Sequence, residues 1–338
     1  MITPSYSSTA TERVLPRMAL DFTTAVTDPR VATARAANTA TRFNSSGLIE
    51  IVNANLPRYD FSPNTLACRG QLIEEARSNL FLNSLVDGTN LATQSVTLSA
   101  VAYTLSFYGS GAVTISGGHS ATVAGIGDFP NRKTYTFTPT AGSSTFTVSG
   151  DVKFAQLEAG AFATSFIPTT TGSVTRNADA VSMTGTNFSS WYNTSEGTFV
   201  ARFLSSVGAA ANLPRIFEVS DGTTGNRTRC YLGANNTTTQ ISSGGSSVAS
   251  IGNTLASAYG AYNQIAVAYK TDNFGAAANG GTIGTDTAGA VPVAPIRINI
   301  GSDYSAASLS QLNGYMAELY FYNQRLINSE VVAFSKQG

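Results

Sequence analysis

Cysteine, histidine and charge are what this sequence has least of. Cys68, Cys230 and His119 are its whole complement of the first two in 338 residues. A zinc site takes three or four such ligands, so neither a metal nor a cofactor is expected. The two thiols are expected to be free and buried or half-buried. A Ser-His-Asp or Cys-His site would have to run through His119, which stands in the turn-like stretch Gly117-Gly118-His119-Ser120 with no nucleophile elbow elsewhere. Charged residues make up 12%, and 20 Lys plus Arg cancel 20 Asp plus Glu. That balance excludes a basic nucleic-acid surface and an acidic disordered tail as dominant features. No apolar run is long enough to cross a membrane as a helix. Met1–Ser7 has neither the basic nor the apolar region of an export leader, so none is expected.

What is present points to β structure. Hydrophobic residues are 42%, ample for a core, Ser and Thr together are about a quarter, and there are 31 glycines. At roughly 150 residues per domain the length suits two domains, or two and an arm. Residues 1–80 differ from the rest. They hold half of the arginines (Arg13, Arg17, Arg30, Arg35, Arg42, Arg58, Arg69 and Arg77) and no lysine, the first being Lys133. Prolines 4, 16, 29, 57 and 63 keep the stretch extended, with one strand candidate over 47–52. Arginine is favoured where a guanidinium is desolvated at an interface. Residues 1–80 are therefore expected to be a docking arm.

Residues 81–170 alternate with period two. Val101–Tyr108, Ala112–Ser116, Lys133–Thr138, Ser144–Ser149 and Val152–Leu157 each put Ser or Thr on one face and apolar residues on the other. Gly-, Asn- and Pro-rich turns separate them, as in a small jelly-roll. Phe166–Ser173 is expected to be a linker. Over 171–338 the strongest strand candidates are 197–203, 215–219, 264–269, 296–300 and 317–322. Asn279-Gly280 predicts a tight hairpin between 274–278 and 282–286, and Asn328 is expected to cap a short helix over 330–335. The fold class expected is all-β: an extended N-terminal anchoring arm followed by two antiparallel β-sandwich (jelly-roll) domains.

Three stretches carry a resemblance. Asn55–Pro63 with Ala67–Leu80 resembles the N-terminal module of tailed-bacteriophage virion proteins of the head fibre, head spike, tail fibre or minor structural type. Gln156–Thr169 is similar to the end of their carbohydrate-binding-module-like jelly-roll. Asn313–Leu326 is similar to the last strand of concanavalin-A-like (laminin-G-like) lectin domains. The resemblance implies a structural protein at the virion surface, docked on other capsid or tail proteins and associated as a homotrimer. Its sandwiches would face outward, towards a host-surface glycan, with no nucleic acid bound and no membrane insertion. A head fibre or capsid decoration is expected rather than a tail fibre or receptor-binding protein, because no long repetitive shaft is present.

Concanavalin-like folds also host glycoside hydrolases, which set two carboxylates across the sugar. In that family the resemblance would require Glu-x-Asp-x-Glu on one strand, and no such triplet occurs. Glu74-Glu75 are adjacent, and Glu218 and Asp221 lie an odd number of steps apart. No catalytic residue is expected, and a depolymerase is the weakest alternative. Glycan binding would need exposed aromatics with polar neighbours, for which Trp191, Tyr192, Tyr259, Tyr262, Asp303 and Tyr304 are the candidates. The competing reading is that Trp191 and the tyrosines plug the sandwich core.

Overall fold

A computed structural model describes residues 14–37, 39–85, 87–207, 213–255, 259–305 and 309–337. The chain is nearly all β and its sheets are antiparallel, as expected. Its two compact units interleave in sequence. One takes its described residues from Met1–Ala34, Arg69–Glu75 and Asp179–Gly338, the other from Arg35–Cys68 and Ala76–Ala178.

The first unit has two sheets around one core. The first sheet runs Gly284–Asp286, Phe274–Ala278, Tyr262–Lys270, Glu196–Ser205, Gly314–Tyr322 and Cys68–Ile73, with Met18–Asp21 also paired to Gly314–Tyr322. The second has seven strands in the order Ala32–Ala34, Ala180–Thr184, Arg297–Ile300, Arg215–Ser220, Arg227–Leu232, Asn236–Ser243 and Ser246–Thr254. Period-two alternation aims Phe199, Phe203 and Phe321 from the first sheet at Phe217, Val219, Ile298 and Ile300 from the second. Phe199 and Phe217 meet at 4.8 Å between ring centroids. Each such ring contributes about 1.5–3 kcal/mol by leaving water.

The first sheet is also covered outside. Val200, Ala266, Ala268 and Tyr322 pack on Leu326 and Val331 of the helix Asn328–Phe334. Asn328 is the first helical residue rather than the cap. The flanking Ile327 donates its N–H to Glu330 Oε2 at 3.1 Å. The Asn279-Gly280 hairpin forms as expected, with φ of 50° and 71° and the Gly281 N–H bonded to the Ala278 carbonyl at 2.9 Å.

The second unit packs the sheet Ala121–Ala124, Ala112–Gly117, Gly142–Ser149 and Gln94–Leu98 on the sheet Gly127–Phe137, Tyr103–Gly109 and Lys153–Ala159. Leu105, Phe107, Val113, Ile115, Phe146 and Leu157 form its core, all fully buried. The hairpin Ala40–Phe43/Ile49–Val52 belongs to this unit as well.

Two expectations need correcting. The proposed linker is built into the second unit. Phe166 and Ile167 are buried, Ile167 donates its N–H to Gln156 Oε1 at 2.7 Å, and Val174–Arg176 pairs with Arg77–Asn79. Nor do the described residues of 1–80 form a separate arm, because they supply strands to both units. Arg13 lies outside the described residues. Of the other seven arginines, only Arg17 is exposed. Arg35 is buried and donates to the carbonyls of Val52, Asn53 and Leu56, and buried Arg58 donates to the Thr41 carbonyl and Ser165 Oγ. Arg30 pairs with Asp28 and Arg42 with Glu50, while Arg69 lies over Tyr315 and Arg77 over Phe162. The planar five-donor guanidinium suits carbonyl-rich loops within a chain as well as an interface with another, so arginine enrichment alone could not separate the two.

Candidate functional site

The six expected glycan contacts do not converge. Trp191 is 4% exposed, donates its indole N–H to the Asn187 carbonyl at 2.8 Å and meets Phe321 edge-on at 5.1 Å. It plugs the core of the first unit. Tyr192 stacks on Phe188 at 4.6 Å, and burial holds its hydroxyl pKa well above the usual value. Tyr262 belongs to the first sheet, where Arg202 lies 4.3 Å above its ring and its hydroxyl donates to the Arg69 carbonyl at 2.6 Å. Tyr259 is exposed, with its hydroxyl 3.4 Å from the Ala234 carbonyl.

Asp303 and Tyr304 instead border a polar cluster on the seven-stranded sheet. Alternation there divides two kinds of side chain cleanly. Phe217, Val219, Cys230, Leu232 and Ile241 face the core, while Glu218, Arg227, Arg229, Tyr231 and Gln240 face away from it. Strand register places Ser182, Asn299, Glu218, Arg229, Gln240 and Ser250 in one row across six strands. Arg297, Ser220 and Arg227 form the adjacent row.

Glu218 is the fixed centre. It is fully buried, its Oε1 accepts the Tyr304 backbone N–H at 3.1 Å, and its Oε2 lies 3.4 Å from Arg227 Nη1 and 3.9 Å from Arg215 Nε. Burial pushes its carboxyl pKa up, and Arg227, the Tyr304 N–H and Arg215 oppose that shift. Arg229 is anchored by Nε on Gln240 Oε1 at 2.8 Å and by a second, shorter bond from Nη2. Tyr231 carries two guanidiniums on its ring, Arg229 at 5.0 Å and Arg215 at 5.3 Å. Burial lowers the pKa of both Arg215 and Arg229, and the neighbouring Arg227 adds to it in each case.

Asn299 is fully buried on the same face, and neither its Oδ1 nor its Nδ2 has a hydrogen-bond partner among the described residues. Such an orphaned amide is uncommon and calls for an explanation. The expected list contained Asp303 and Tyr304 but missed Glu218 as a binding group, along with Arg227, Arg229, Tyr231, Gln240 and Asn299. The signal was the alternation Arg227-Thr228-Arg229-Cys230-Tyr231-Leu232, in which period two puts two arginines and a tyrosine on one face.

His119 is half-buried, hydrogen-bonded to the Tyr135 hydroxyl at 2.9 Å and stacked on Phe137 at 4.8 Å. Both thiols are free, Cys230 buried and Cys68 partly so, as expected. Burial pushes the Cys230 thiol up to about 12, which keeps it protonated and inert.

No family model and no curated protein matches the sequence. Among solved structures, the CBM40 module of the Ruminococcus gnavus IT-sialidase bound to α2,3-sialyllactose is 17% identical, covering 43% of this chain and 84% of its own at a TM-score of 0.38. The NanB sialidase of Streptococcus pneumoniae is 13% identical over 45% of this chain and 26% of its own, at 0.37. A heptameric SAP-like pentraxin from Limulus polyphemus is 15% identical over 42% of this chain and 70% of its own, at 0.33. Likenesses at these scores fix neither a family nor a ligand for this chain.

Proposed function

We propose that this protein is a non-enzymatic binding and display protein of a bacteriophage particle, and that the polar face of its seven-stranded sheet engages a host-surface saccharide. The observation that carries the binding role is the row Asn299–Glu218–Arg229–Gln240 with Tyr231 beside it, an array of donors, acceptors and one aromatic ring held by sheet register. Binding is favoured over catalysis because Glu218, the best-placed carboxylate, is already engaged by an N–H and two arginines. A general acid or base needs a proton path to its substrate, and this carboxylate is committed to the scaffold. Glycan-array binding by the intact chain, lost in Tyr231→Ala with the thermal midpoint retained, tests the reading. Release of reducing sugar from any bound polysaccharide would replace it with the depolymerase alternative.

The virion role, as a head fibre or capsid decoration and as a homotrimer, is supported by the resemblance of 55–80, 156–169 and 313–326. Arg17, the one exposed arginine among those described in 1–80, leaves little for an arginine-led dock, so docking falls to surfaces other than the buried guanidiniums. Mass spectrometry of purified particles and light scattering of the free protein test the two parts separately. Absence from particles, or a monomer at every concentration, would overturn the corresponding part.

A further inference from the structure

The geometry points to a specific ligand class, and the inference rests on the binding role just proposed: the polar face takes an anionic saccharide, with its oxyanion received by Arg227 and Arg229. The first ground is charge. Arg215, Arg227, Arg229 and Arg297 project into or beside this cluster, against the two carboxylates of Glu218 and Asp303. Four guanidiniums facing two carboxylates leave a surplus of positive charge on a face that is only partly open to water.

The second ground is unused donor capacity. The Arg227 side chain is 12% exposed, yet among the described residues its one side-chain hydrogen bond is the 3.4 Å contact from Nη1 to Glu218. Arginine forks bind oxyanions in pairs of parallel hydrogen bonds, and Arg229 is already held in orientation by Gln240. Burial is the main cause of the depressed basicity of Arg215 and Arg229, and an incoming anion relieves the smaller part that comes from the neighbouring Arg227.

The third ground is Asn299, whose buried amide has no partner on either atom. It shares a row with Glu218 and Arg229. An amide can both donate to and accept from a sugar hydroxyl or an acylamino group, and Asn299, being fully buried, becomes such a contact only when a ligand displaces what covers it. The carboxylate of Glu218 keeps the arginines in place and rejects an anion that seats too deep.

The test is titration calorimetry of the intact protein with four probes matched in length: a uronate oligosaccharide, a sialyl oligosaccharide, a sulfated oligosaccharide and a neutral one. Anionic probes are expected to bind at least tenfold tighter than the neutral probe and to weaken as salt is raised. Which of the three binds best identifies the oxyanion. Arg227→Gln is expected to erase the preference, and Arg227→Lys, which keeps the charge without the fork, to retain part of it. Should Arg227→Gln lower the thermal midpoint, Arg229→Gln supplies the same test at the neighbouring half-buried position. Equal affinity for neutral and anionic probes, or binding indifferent to both substitutions, would overturn the inference and leave the binding role standing. Failure of all four probes and of every glycan on the array would overturn the binding role itself.

Discussion

Each unit buries one glutamate completely, and the two have opposite surroundings. Glu158 of the second unit has its acceptors filled: Gln156 Nε2 at 2.6 Å and the Thr164 N–H at 2.9 Å on one oxygen, and Thr164 Oγ1 at 2.8 Å on the other. Nearby Arg132 spends its guanidinium on the Thr164 carbonyl and Ser106 Oγ. Glu218 of the first unit is held by one N–H and by arginines at 3.4 and 3.9 Å, and what stands unspent around it is the orphaned asparagine in its row. A saturated polar network rigidifies a fold, whereas an unsaturated one keeps donors and acceptors available to something else. The first is scaffold, and the second is where a ligand belongs.

The largest expected effect comes from removing the ground beneath both. Deleting residues 1–80 takes Met18–Asp21, Ala32–Ala34 and the whole of Cys68–Ile73 from the first unit's sheets. It also takes Asn79, whose amide donates to the Ala155 and Ile167 carbonyls and accepts the Leu157 N–H beside Glu158. The truncated chain is expected to be insoluble or to lack a cooperative melt. A soluble remainder with native near-ultraviolet dichroism would show that the opening stretch is dispensable to both units.

The next effect separates a filled network from an unfilled one. Asn79→Leu removes four buried hydrogen bonds and leaves backbone groups unpaired, so it is expected to cost about 3 kcal/mol or more at the rate of ~1–3 kcal/mol per orphaned group. Asn299→Leu removes two atoms that have no partners, and is expected to be neutral or stabilising by up to about 1 kcal/mol while weakening saccharide binding. Chemical denaturation of the two variants side by side measures the contrast. Equal losses would mean that Asn299 is as much scaffold as Asn79.

The sequence made one half of this contrast far easier to see than the other. The strands around Glu158 alternate Ser or Thr with large apolar residues, and the first unit's core strands are short runs rich in Val, Ile, Phe and Tyr, whose expected bounds fall within a few residues of those observed. Arg227–Leu232, Asn236–Ser243 and Ser246–Thr254 were not singled out, because their core-facing positions are partly Thr, Cys and Ala and the apolar signal is thin. Those strands carry Arg227, Arg229, Tyr231 and Gln240. Trp191 is the more conspicuous aromatic in the sequence, and nothing there distinguishes an indole stacked on sugar from one wedged among Phe188, Phe199 and Phe321. The charge pattern of 1–80 was legible, but its meaning was not. Whether an arginine meets its own chain or another depends on long-range topology, as with Arg58 and Ser165.

The smallest effect is in pH. Burial raises the pKa of Glu158 and of Glu218 above the ordinary carboxylate value, with Arg132 opposing the shift at the first and Arg227 at the second. A carboxyl whose folded pKa is raised favours the folded state while protonated, and that contribution disappears as pH rises through the raised pKa. Wild type is therefore expected to lose stability relative to Glu158→Gln as pH increases from the acid side towards neutrality, with little difference where both side chains are uncharged. For Glu218 the same substitution has a second consequence. It removes the negative charge that holds Arg215 and Arg227, so the gain from the neutral side chain is offset by guanidinium repulsion and the pH trend should be shallower than at Glu158. An added anionic saccharide is expected to restore stability to Glu218→Gln more than to wild type, because the ligand then supplies the missing charge. Denaturant midpoints for the two Gln variants across this range, with and without saccharide, measure all three trends. A steeper slope at Glu218 than at Glu158 would mean that its arginines are not the surplus this contrast takes them to be.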